Sequence, residues 1–271
     1  MIIGVDIGGT KTYVACFAEN GTLLKEARFE TSRNYSDFVE DLKIHAQKLE
    51  TRKAKIACVA VPGLIDRKKG IVRNLGNLPW KDEHIQNDLA NALGIKNTYI
   101  ENDSKLAGLA EARYISEQHQ RVFYLTISTG IGGALIVNGK LDKNLMDMEI
   151  GKIPLEHSGK ILDWEDFSSG RAFFEKYKKK AVDTHEDSIW EEFAKSINLG
   201  IGIICSSFQV DVIVFGGGLG QYLSRFKKYI ESYLLENLHP IVKRPEALLS
   251  THYRSQSVVY GCYEYAKDHL T

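Results

Sequence analysis

Apolar and polar residues follow two different periods in alternating parts of this chain. Apolar runs of strand length predict β-strands near residues 2–7, 13–17, 54–61, 98–101, 121–128, 134–137 and 210–215. Apolar residues at helical spacing predict α-helices near residues 35–49, 84–93, 104–113, 168–180, 189–208, 222–236 and 255–269. Strands and helices that alternate in this way indicate an α/β fold.

The first predicted strand runs into a polar turn whose residues suggest phosphate chemistry. The strand carries Asp6, and Gly8, Gly9, Thr10 and Lys11 follow it. A carboxylate at a strand end can hold a magnesium ion through the waters of the ion. Two glycines let backbone N–H groups approach phosphate oxygens, and the hydroxyl and ammonium groups add donors. Because a second strand follows, the turn lies in a hairpin, whereas P-loops and dinucleotide-binding turns need a helix there.

The same pattern returns in the second half of the chain. A strand that ends near Ser128 is followed by Thr129, Gly130, Gly132 and Gly133, and then by another strand. Both hairpins continue to an Asn-Gly pair, which favours a tight turn. Two copies of one glycine-turn hairpin predict a duplicated architecture with a phosphate turn in each half.

Composition narrows the class of protein. The chain has 271 residues, of which 44% are apolar, and this is enough to bury a large core. Lysine plus arginine and aspartate plus glutamate both number 35, so the net charge of zero predicts no nucleic-acid partner. We find no signal-peptide pattern and no apolar run of membrane-spanning length, so we expect no membrane partner and a cytoplasmic location. The four cysteines are scattered among apolar residues, which indicates buried, reduced thiols.

Five motifs, in this order, resemble those of the ROK sugar kinases, a family with the actin-like ATPase fold. They are Asp6–Lys11, Pro62-Gly63 with Asn77–Trp80, Glu101–Asp103, Ser128–Gly133 and Gly216–Gly218. The resemblance covers nearly the whole chain. It implies an α/β fold of two actin-like ATPase (ribonuclease H-like) domains with an interdomain cleft. The first domain would span residues 1–101, with a helix at about 255–271 packing back on it, and the second would span residues 102–254.

The resemblance also implies roles for individual residues. Asp103 would be the catalytic base that accepts a proton from a sugar hydroxyl, although an aspartate before a helix is also typical of an N-cap. Asp6 would hold the Mg²⁺ of MgATP through water. The sugar would contact Asp103 and five further residues, Asn77, Asn102, Glu149, Lys152 and Glu165. The nucleotide would contact Gly8, Gly9, Thr10, Lys11, Thr129, Gly130, Gly132, Gly133, Gly217 and Gly218.

Residue 152 departs from the family pattern. The family usually has Glu-x-Gly-His here, followed by a cysteine-rich loop that binds zinc. This chain has Glu149 and Lys152 at the ends of that motif, and no cysteine between residues 153 and 166. Without thiolates we expect no structural zinc. Lys152 can donate to a sugar hydroxyl or be a solvated surface residue, and both interpretations stay open. His157 could replace the missing imidazole, but a single loop histidine is more often simply exposed.

The leading prediction is a kinase that transfers the γ-phosphoryl group of ATP to a hydroxyl of a hexose or an N-acylhexosamine, with glucokinase-like activity foremost. Two alternatives stay open. A polyphosphate-dependent glucokinase would also lack the cysteine loop, and a non-catalytic sugar-binding regulator would tolerate the change at Lys152. The expected partners are a small sugar and ATP, and a homodimer is a further open alternative. The sequence does not identify the sugar.

Overall fold

The computed structural model describes residues 1–75, 78–115 and 118–270, and these form two compact units. The first unit contains Met1–Ala110 and Gln256–Thr271, and the second contains Glu111–Ser255. Each unit is built around one five-stranded sheet, and each also has a small two-stranded sheet.

Strands and helices alternate along most of the described chain. The strands are β1 (Ile2–Ile7), β2 (Lys11–Phe17), β3 (Leu23–Glu30), β4 (Ile56–Val61), β5 (Leu64–Asp66), β6 (Ile71–Asn74), β7 (Thr98–Asn102), β8 (Arg121–Ile127), β9 (Ile131–Val137), β10 (Lys140–Leu141), β11 (Pro154–His157), β12 (Lys160–Asp163), β13 (Val212–Gly216) and β14 (Ala247–Ser250). The α-helices are α1 (Tyr35–Leu49), α2 (Ile85–Leu93), α3 (Asp103–Ile115), α4 (Trp164–Ser168), α5 (Gly170–Tyr177), α6 (Asp187–Phe208), α7 (Gly217–Gly220), α8 (Leu223–Asn237) and α9 (Ser257–Lys267).

The sheet of the first unit has the strand order β3-β2-β1-β4-β7. Strands β1, β2 and β3 are antiparallel, whereas β1, β4 and β7 run parallel. Successive side chains of a strand point to opposite faces. Ile3 and Val5 of β1 therefore pack with the apolar residues of α1 and α2, whereas Ile2 packs with those of α9. Between them, a Cβ on Gly4 would sit 2.9 Å from the Val259 carbonyl oxygen, so α9 lies directly on β1.

The sheet of the second unit has the strand order β10-β9-β8-β13-β14. Strands β8, β9 and β10 are antiparallel, whereas β8, β13 and β14 run parallel. Trp190 and Phe193 of α6 pack with Phe226 of α8, and the three ring centroids lie 5.2 to 6.1 Å apart. These rings belong to the core that covers one face of the sheet. The second glycine turn follows the carboxyl end of β8, and the Gly216–Gly218 motif lies at the carboxyl end of β13.

The sequence predictions hold for most elements, and α1 has the predicted bounds. The helix predicted over residues 168–180 is present as α5, with shorter bounds. A separate short helix, α4, precedes it because Ser169 interrupts the helical path, and the Ser169 hydroxyl accepts a hydrogen bond from Ala172 N at 3.3 Å, as an N-cap does. The hairpin of β11 and β12 is absent from the prediction, since its strands are short and mostly exposed and so lack an apolar pattern.

Candidate active site

The carboxyl ends of β1, β4 and β7 lie at one edge of the first sheet, because these strands run parallel. Asp6 is the second-last residue of β1, and Asp103 comes directly after β7. This edge therefore carries two of the predicted site residues, although they come from distant parts of the sequence.

The electrostatics of Asp6 show that the two carboxylates influence each other. Burial and the negative charge of Asp103 raise the pKa of Asp6 to about 7, while Arg28 acts in the opposite direction. Tyr13 and Arg28 continue the cross-strand row from Asp6, and the Arg28 guanidinium lies 4.2 Å from the centroid of the Tyr13 ring. A divalent cation would stabilise two neighbouring carboxylates that repel each other, so the donor set fits magnesium.

Asp103 begins α3, but Asn102 caps this helix. Asn102 Oδ1 accepts hydrogen bonds from Ser104 N at 3.0 Å and from Lys105 N at 3.3 Å. The capping role that the sequence left open for Asp103 therefore belongs to Asn102, because the helix starts one residue earlier than expected. Asp103 Oδ1 accepts a hydrogen bond from Ser104 N at 2.7 Å. The Asp103 carboxylate therefore shares the Ser104 N–H with Asn102, whose Oδ1 also accepts a hydrogen bond from Lys105 N.

The first glycine turn is short and closed by its own backbone. It consists of Gly8, Gly9 and Thr10 between β1 and β2, and Gly8 N donates to Lys11 O at 3.0 Å. A Cβ on Gly8 would sit 3.0 Å from that same oxygen, so the tight closure favours glycine. Lys11 is the first residue of β2 and is exposed, so it flanks the turn. Thr10 O accepts a hydrogen bond from Thr31 N at 3.0 Å, which ties the turn to the end of β3.

The second glycine turn is tighter than the first. Ser128 N donates to Gly130 O at 2.9 Å, so the turn closes one residue earlier. Gly132 and Gly133 lie inside β9, beyond the turn in which the sequence placed them. A Cβ on Gly133 would sit 2.9 Å from the Phe123 ring, so this glycine makes room for the core.

Glu165 connects the second turn to residue 152. Glu165 Oε2 accepts a hydrogen bond from Ile131 N at 3.0 Å, and a Cβ on Gly130 would come within 2.5 Å of this oxygen. Glu165 Oε1 lies 2.7 Å from Lys152 Nζ, which also lies 3.1 Å from Asp163 Oδ2. Hydrogen bonds to Glu165 and Asp163 raise the pKa of Lys152. Lys152 is therefore held in an ion-pair cluster, with 53% of its side chain exposed.

Glu149 and Lys152 lie at the two ends of one tight turn. Glu149 is exposed and directly precedes a 3₁₀ turn over Ile150–Lys152. A Cβ on Gly151 would clash with the Ile131 carbonyl oxygen, so the turn packs against the start of β9. His157, the candidate replacement for imidazole, lies in β11 and stacks on Phe167 with ring centroids 4.2 Å apart.

Gly217 and Gly218 follow β13 and meet different surroundings. Gly217 has a φ of +79°, and a Cβ there would sit 2.5 Å from the Ile127 carbonyl oxygen. Nothing lies within 4 Å of a Cβ on Gly218. Gly217 is therefore required by the close approach of β8 and by its own backbone conformation, whereas Gly218 leaves open space beside the sheet.

Gly218 lines two cavities of the second unit. One has a volume of about 420 Å³ and extends to Thr129 of the glycine turn. Its walls are aromatic and basic, and they include Arg171, Phe173, Phe174, Lys179 and Lys180. The other cavity, of about 550 Å³, extends from Gly218 to Arg254. The first cavity combines a phosphate-type turn, flat apolar surface and positive charge, which is the chemistry that a nucleotide needs.

Two predictions are not decided by the described residues. Asn77 lies outside them, so its sugar-binding role stays a prediction. The segment that follows it is anchored by Trp80, which packs against Phe38 with ring centroids 4.6 Å apart and donates from Nε1 to Arg33 O at 3.0 Å. Within residues 1–75, 78–115 and 118–270, no three His, Cys, Asp or Glu side chains group together to hold a metal ion. The expected lack of structural zinc stays a prediction as well.

Sequence reasoning missed three charged residues at these sites, namely Arg28, Arg67 and Asp163. The charge of Arg28 acts on Asp6 because the register of β1, β2 and β3 places both residues in one cross-strand row. Asp163 lies in the hairpin of β11 and β12, which the sequence did not predict. Arg67 pairs with Glu101 at 2.6 Å. One signal was available, since Glu101 is a charged residue in an apolar strand, and a buried charge needs a partner.

Comparisons with known proteins identify the family of this chain. A sequence model of the ROK family matches residues 2–269. The chain belongs to the ROK family. It is similar to N-acetyl-D-glucosamine kinase of Histophilus somni, with 28% identity over 82% of this chain and 85% of that protein. It is also similar to glucokinase of Streptomyces coelicolor, with 25% identity over 81% of this chain and 82% of that protein.

The same likeness appears in three dimensions. The structure resembles the crystal structure of a ROK family glucokinase from Streptomyces griseus in complex with glucose and AMPPNP. The TM-score is 0.79, at 22% sequence identity, and the match covers 98% of this chain and 99% of that chain. This ROK protein therefore has the actin-like ATPase fold.

Proposed function

We propose that this ROK protein is an ATP-dependent kinase that phosphorylates a hydroxyl of a hexose or an N-acylhexosamine. The observation that carries the proposal is the match of the ROK family over residues 2–269, in a chain whose relatives include glucokinase and N-acetyl-D-glucosamine kinase. Asp6 and Asp103 at one sheet edge support it, because phosphoryl transfer needs a base and a site for a metal.

Asp103 is our choice for the general base. Its carboxylate would accept the proton of the attacking sugar hydroxyl as the phosphoryl group is transferred. The location of Asp103 after β7 and the capping of α3 by Asn102 support this role, since Asn102 Oδ1 also accepts hydrogen bonds from Ser104 N and Lys105 N. Asn77, Glu149 and Glu165, with Asn102 and Lys152, remain the proposed contacts to the other hydroxyls.

The donor site is proposed in the second unit. The backbone of Ser128–Gly130 and the open surface at Gly218 would bind phosphates and ribose, and the aromatic wall of the 420 Å³ cavity would take the base. Gly8, Gly9, Thr10 and Lys11 would also contact the phosphates of the nucleotide. Magnesium bound with ATP would neutralise phosphate charge, and Asp6 would hold its waters.

We also propose a cytoplasmic location for this protein. The four cysteines, Cys16, Cys58, Cys205 and Cys262, are free and buried, which supports a cytoplasmic location. None of the described helices has the length and apolar character needed to cross a membrane. A homodimer stays an open alternative.

The test is a substrate panel with the purified protein. Glucose, mannose, N-acetylglucosamine and N-acetylmannosamine are each incubated with MgATP, and ADP and the sugar phosphate are measured together. We expect turnover of at least one sugar, and loss of turnover in Asp103→Asn. Polyphosphate in place of ATP tests the alternative donor. Sugar binding by calorimetry without any phosphorylated product would instead support a regulator and overturn the kinase proposal.

A further inference from the structure

Glu101 is a fully buried carboxylate two residues before Asp103, with 0% of the residue exposed. A charge buried in this way needs a partner. Arg67 provides it with a two-pronged contact, in which Nε donates to Oε2 at 2.7 Å and Nη2 donates to Oε1 at 2.6 Å. The same Oε1 accepts a hydrogen bond from Asn102 N at 2.7 Å. One carboxylate thus joins Arg67 to the main chain next to Asp103.

The other end of β5 makes a second contact with the same segment. Gly63 directly precedes β5, and its carbonyl oxygen accepts a hydrogen bond from Asn102 Nδ2 at 3.3 Å. Arg67 directly follows β5. The two ends of one short strand therefore hold two successive residues, Glu101 and Asn102, where β7 passes into α3. Because Asn102 also caps α3, the main chain is fixed on both sides of Asp103.

We propose that Arg67 is a positioning residue for the Asp103 base and acts through Glu101, which rests on the proposed function. A guanidinium that makes two parallel hydrogen bonds fixes the orientation of a carboxylate, whereas an ammonium group acts as a point charge. Arg67 also balances a negative charge close to the base. Loss of Arg67 leaves that buried charge unpaired and releases the two hydrogen bonds that orient Glu101 beside the main chain of Asn102.

The first test compares Arg67→Met and Arg67→Lys with a matched control, Arg73→Met. Arg73 pairs with Asp66 at 2.8 Å on the same hairpin, but its side chain is 53% exposed. We expect kcat to fall about 10- to 100-fold in Arg67→Met, the range for a displaced catalytic group, with ATP KM within about twofold. Arg67→Lys should recover part of kcat, and Arg73→Met should behave like the wild type.

A second variant separates positioning from folding. Arg67→Met leaves a buried charge unpaired, which by itself destabilises the protein. The double variant Arg67→Met with Glu101→Gln removes that charge, so it should melt close to the wild type while kcat stays about fivefold or more below it. Amide exchange of the peptide 101–106 should be faster in both variants and unchanged in Arg73→Met. A folded Arg67→Met or double variant with wild-type kcat and wild-type amide exchange would overturn the proposal.

Failure of the proposed function would look different. If the wild type phosphorylates no sugar, the kinase proposal fails and amide exchange alone decides the role of Arg67. Faster exchange at residues 101–106 in the double variant, with no change in Arg73→Met, then supports positioning of the segment. Unchanged exchange in that variant overturns it.

Discussion

The two five-stranded sheets share one plan and differ at the edge that carries chemistry. Each has three antiparallel strands followed by two parallel ones, in the orders β3-β2-β1-β4-β7 and β10-β9-β8-β13-β14. In each, a glycine turn joins the central strand to its antiparallel neighbour. Because the backbone plan is the same, a difference in role has to come from the side chains at the carboxyl edge.

Equivalent positions show that difference. Asp6 is the second-last residue of β1 and lies between Tyr13 and Ala60 of the adjacent strands. Thr126 is the second-last residue of β8 and lies between two glycines of its neighbouring strands. The first edge thus carries charge, and the second carries a hydroxyl and glycines. We expect the first copy to supply base and metal chemistry, and the second to bind phosphates through its backbone.

The largest expected effect comes from neutralising the base at the first edge. Asp103→Asn keeps the size of the side chain but removes its basicity, so kcat should fall by about 10²-fold or more. Sugar binding should be largely kept, and so should stability, because Asn102 caps α3. The measurements are steady-state kinetics and calorimetric sugar binding.

The control for this prediction is Asp37→Asn. Asp37 also lies in the first turn of a helix, α1, and is exposed. The chemical change is the same, so a general effect of removing an acid near a helix start would appear in both variants. Near-normal turnover in Asp103→Asn would show that Asp103 is not the base. The proposed difference in role between the two sheets would then be wrong.

The second edge should respond to crowding rather than to charge. Gly217→Ala adds a Cβ 2.5 Å from the Ile127 carbonyl oxygen at a φ of +79°. Backbone strain and overpacking together should lower the free energy of unfolding by about 2–4 kcal/mol, measured by urea denaturation. Gly218→Ala meets nothing within 4 Å, so it should keep stability and raise only the KM of ATP.

Gly159→Ala isolates the contribution of the backbone. Gly159 has a φ of +78°, but nothing lies within 4 Å of a Cβ there. Gly159→Ala should lower the free energy of unfolding by about 1 kcal/mol, which is the contribution of backbone strain alone. Equal losses in Gly159→Ala and Gly217→Ala would mean that the close approach of β8 to Gly217 contributes nothing.

The sequence predicts the two hairpins better than it predicts the links between them and their surroundings. Alternating apolar residues and paired glycines are local signals, so both turns can be located from the sequence. The choice between Asn102 and Asp103 as the cap depends on where the helix starts, and both side chains suit that role. The contact of Glu165 with Ile131 N and the pair of Arg67 with Glu101 join residues 34 positions apart in the sequence. Only the tertiary fold creates such contacts.

A smaller effect concerns Asp6 and pH, in protein free of metal and nucleotide. The pKa of about 7 for Asp6 in the folded protein lies above its ordinary value of 3.8, so the native state disfavours the charged form. The protonated Asp6 carboxyl stabilises the native state. This contribution is fully present below pH 3.8 and is lost as the pH rises towards 7. Asp6→Asn should therefore be more stable than the wild type at pH 8, by roughly 1–3 kcal/mol, since each unit is worth about 1.4 kcal/mol and Asp6 is partly exposed.

Thermal unfolding in a chelator, from pH 4 to pH 8, checks this sign. The advantage of Asp6→Asn should vanish near pH 4, and added magnesium should stabilise the wild type more than the variant at pH 8. The Thr126→Val variant tests the equivalent position of the second sheet and should show no such pH dependence. A stability difference for Asp6→Asn that is constant with pH would contradict the charge assigned to the first edge.

The smallest effect on stability and substrate binding is expected at Lys152, a charged residue of the second unit that lies near its glycine turn. Lys152 is half exposed, although its partner Glu165 is mostly buried, and a pair open to solvent on the lysine side contributes about 0.2–1 kcal/mol, so Lys152→Met should change stability little. If Lys152 donates to a sugar hydroxyl, the sugar KM should rise about three- to tenfold, which corresponds to roughly 0.7–1.4 kcal/mol. The KM of ATP should stay within about twofold, because the Glu165 contact to Ile131 N does not require the lysine.

Lys195→Met is the matched control for Lys152→Met, since Lys195 forms an exposed pair with Glu191 at 2.7 Å in the same unit. It should leave both KM values unchanged. A rise in ATP KM for Lys152→Met alone would mean that Lys152 acts through Glu165 on the second glycine turn. In that case a side-chain charge, and not only the backbone, tunes phosphate binding at the second edge, and the division of roles between the two sheets is less strict. An unchanged KM for both substrates would make Lys152 a surface residue and leave the sugar to the carboxylates and Asn102.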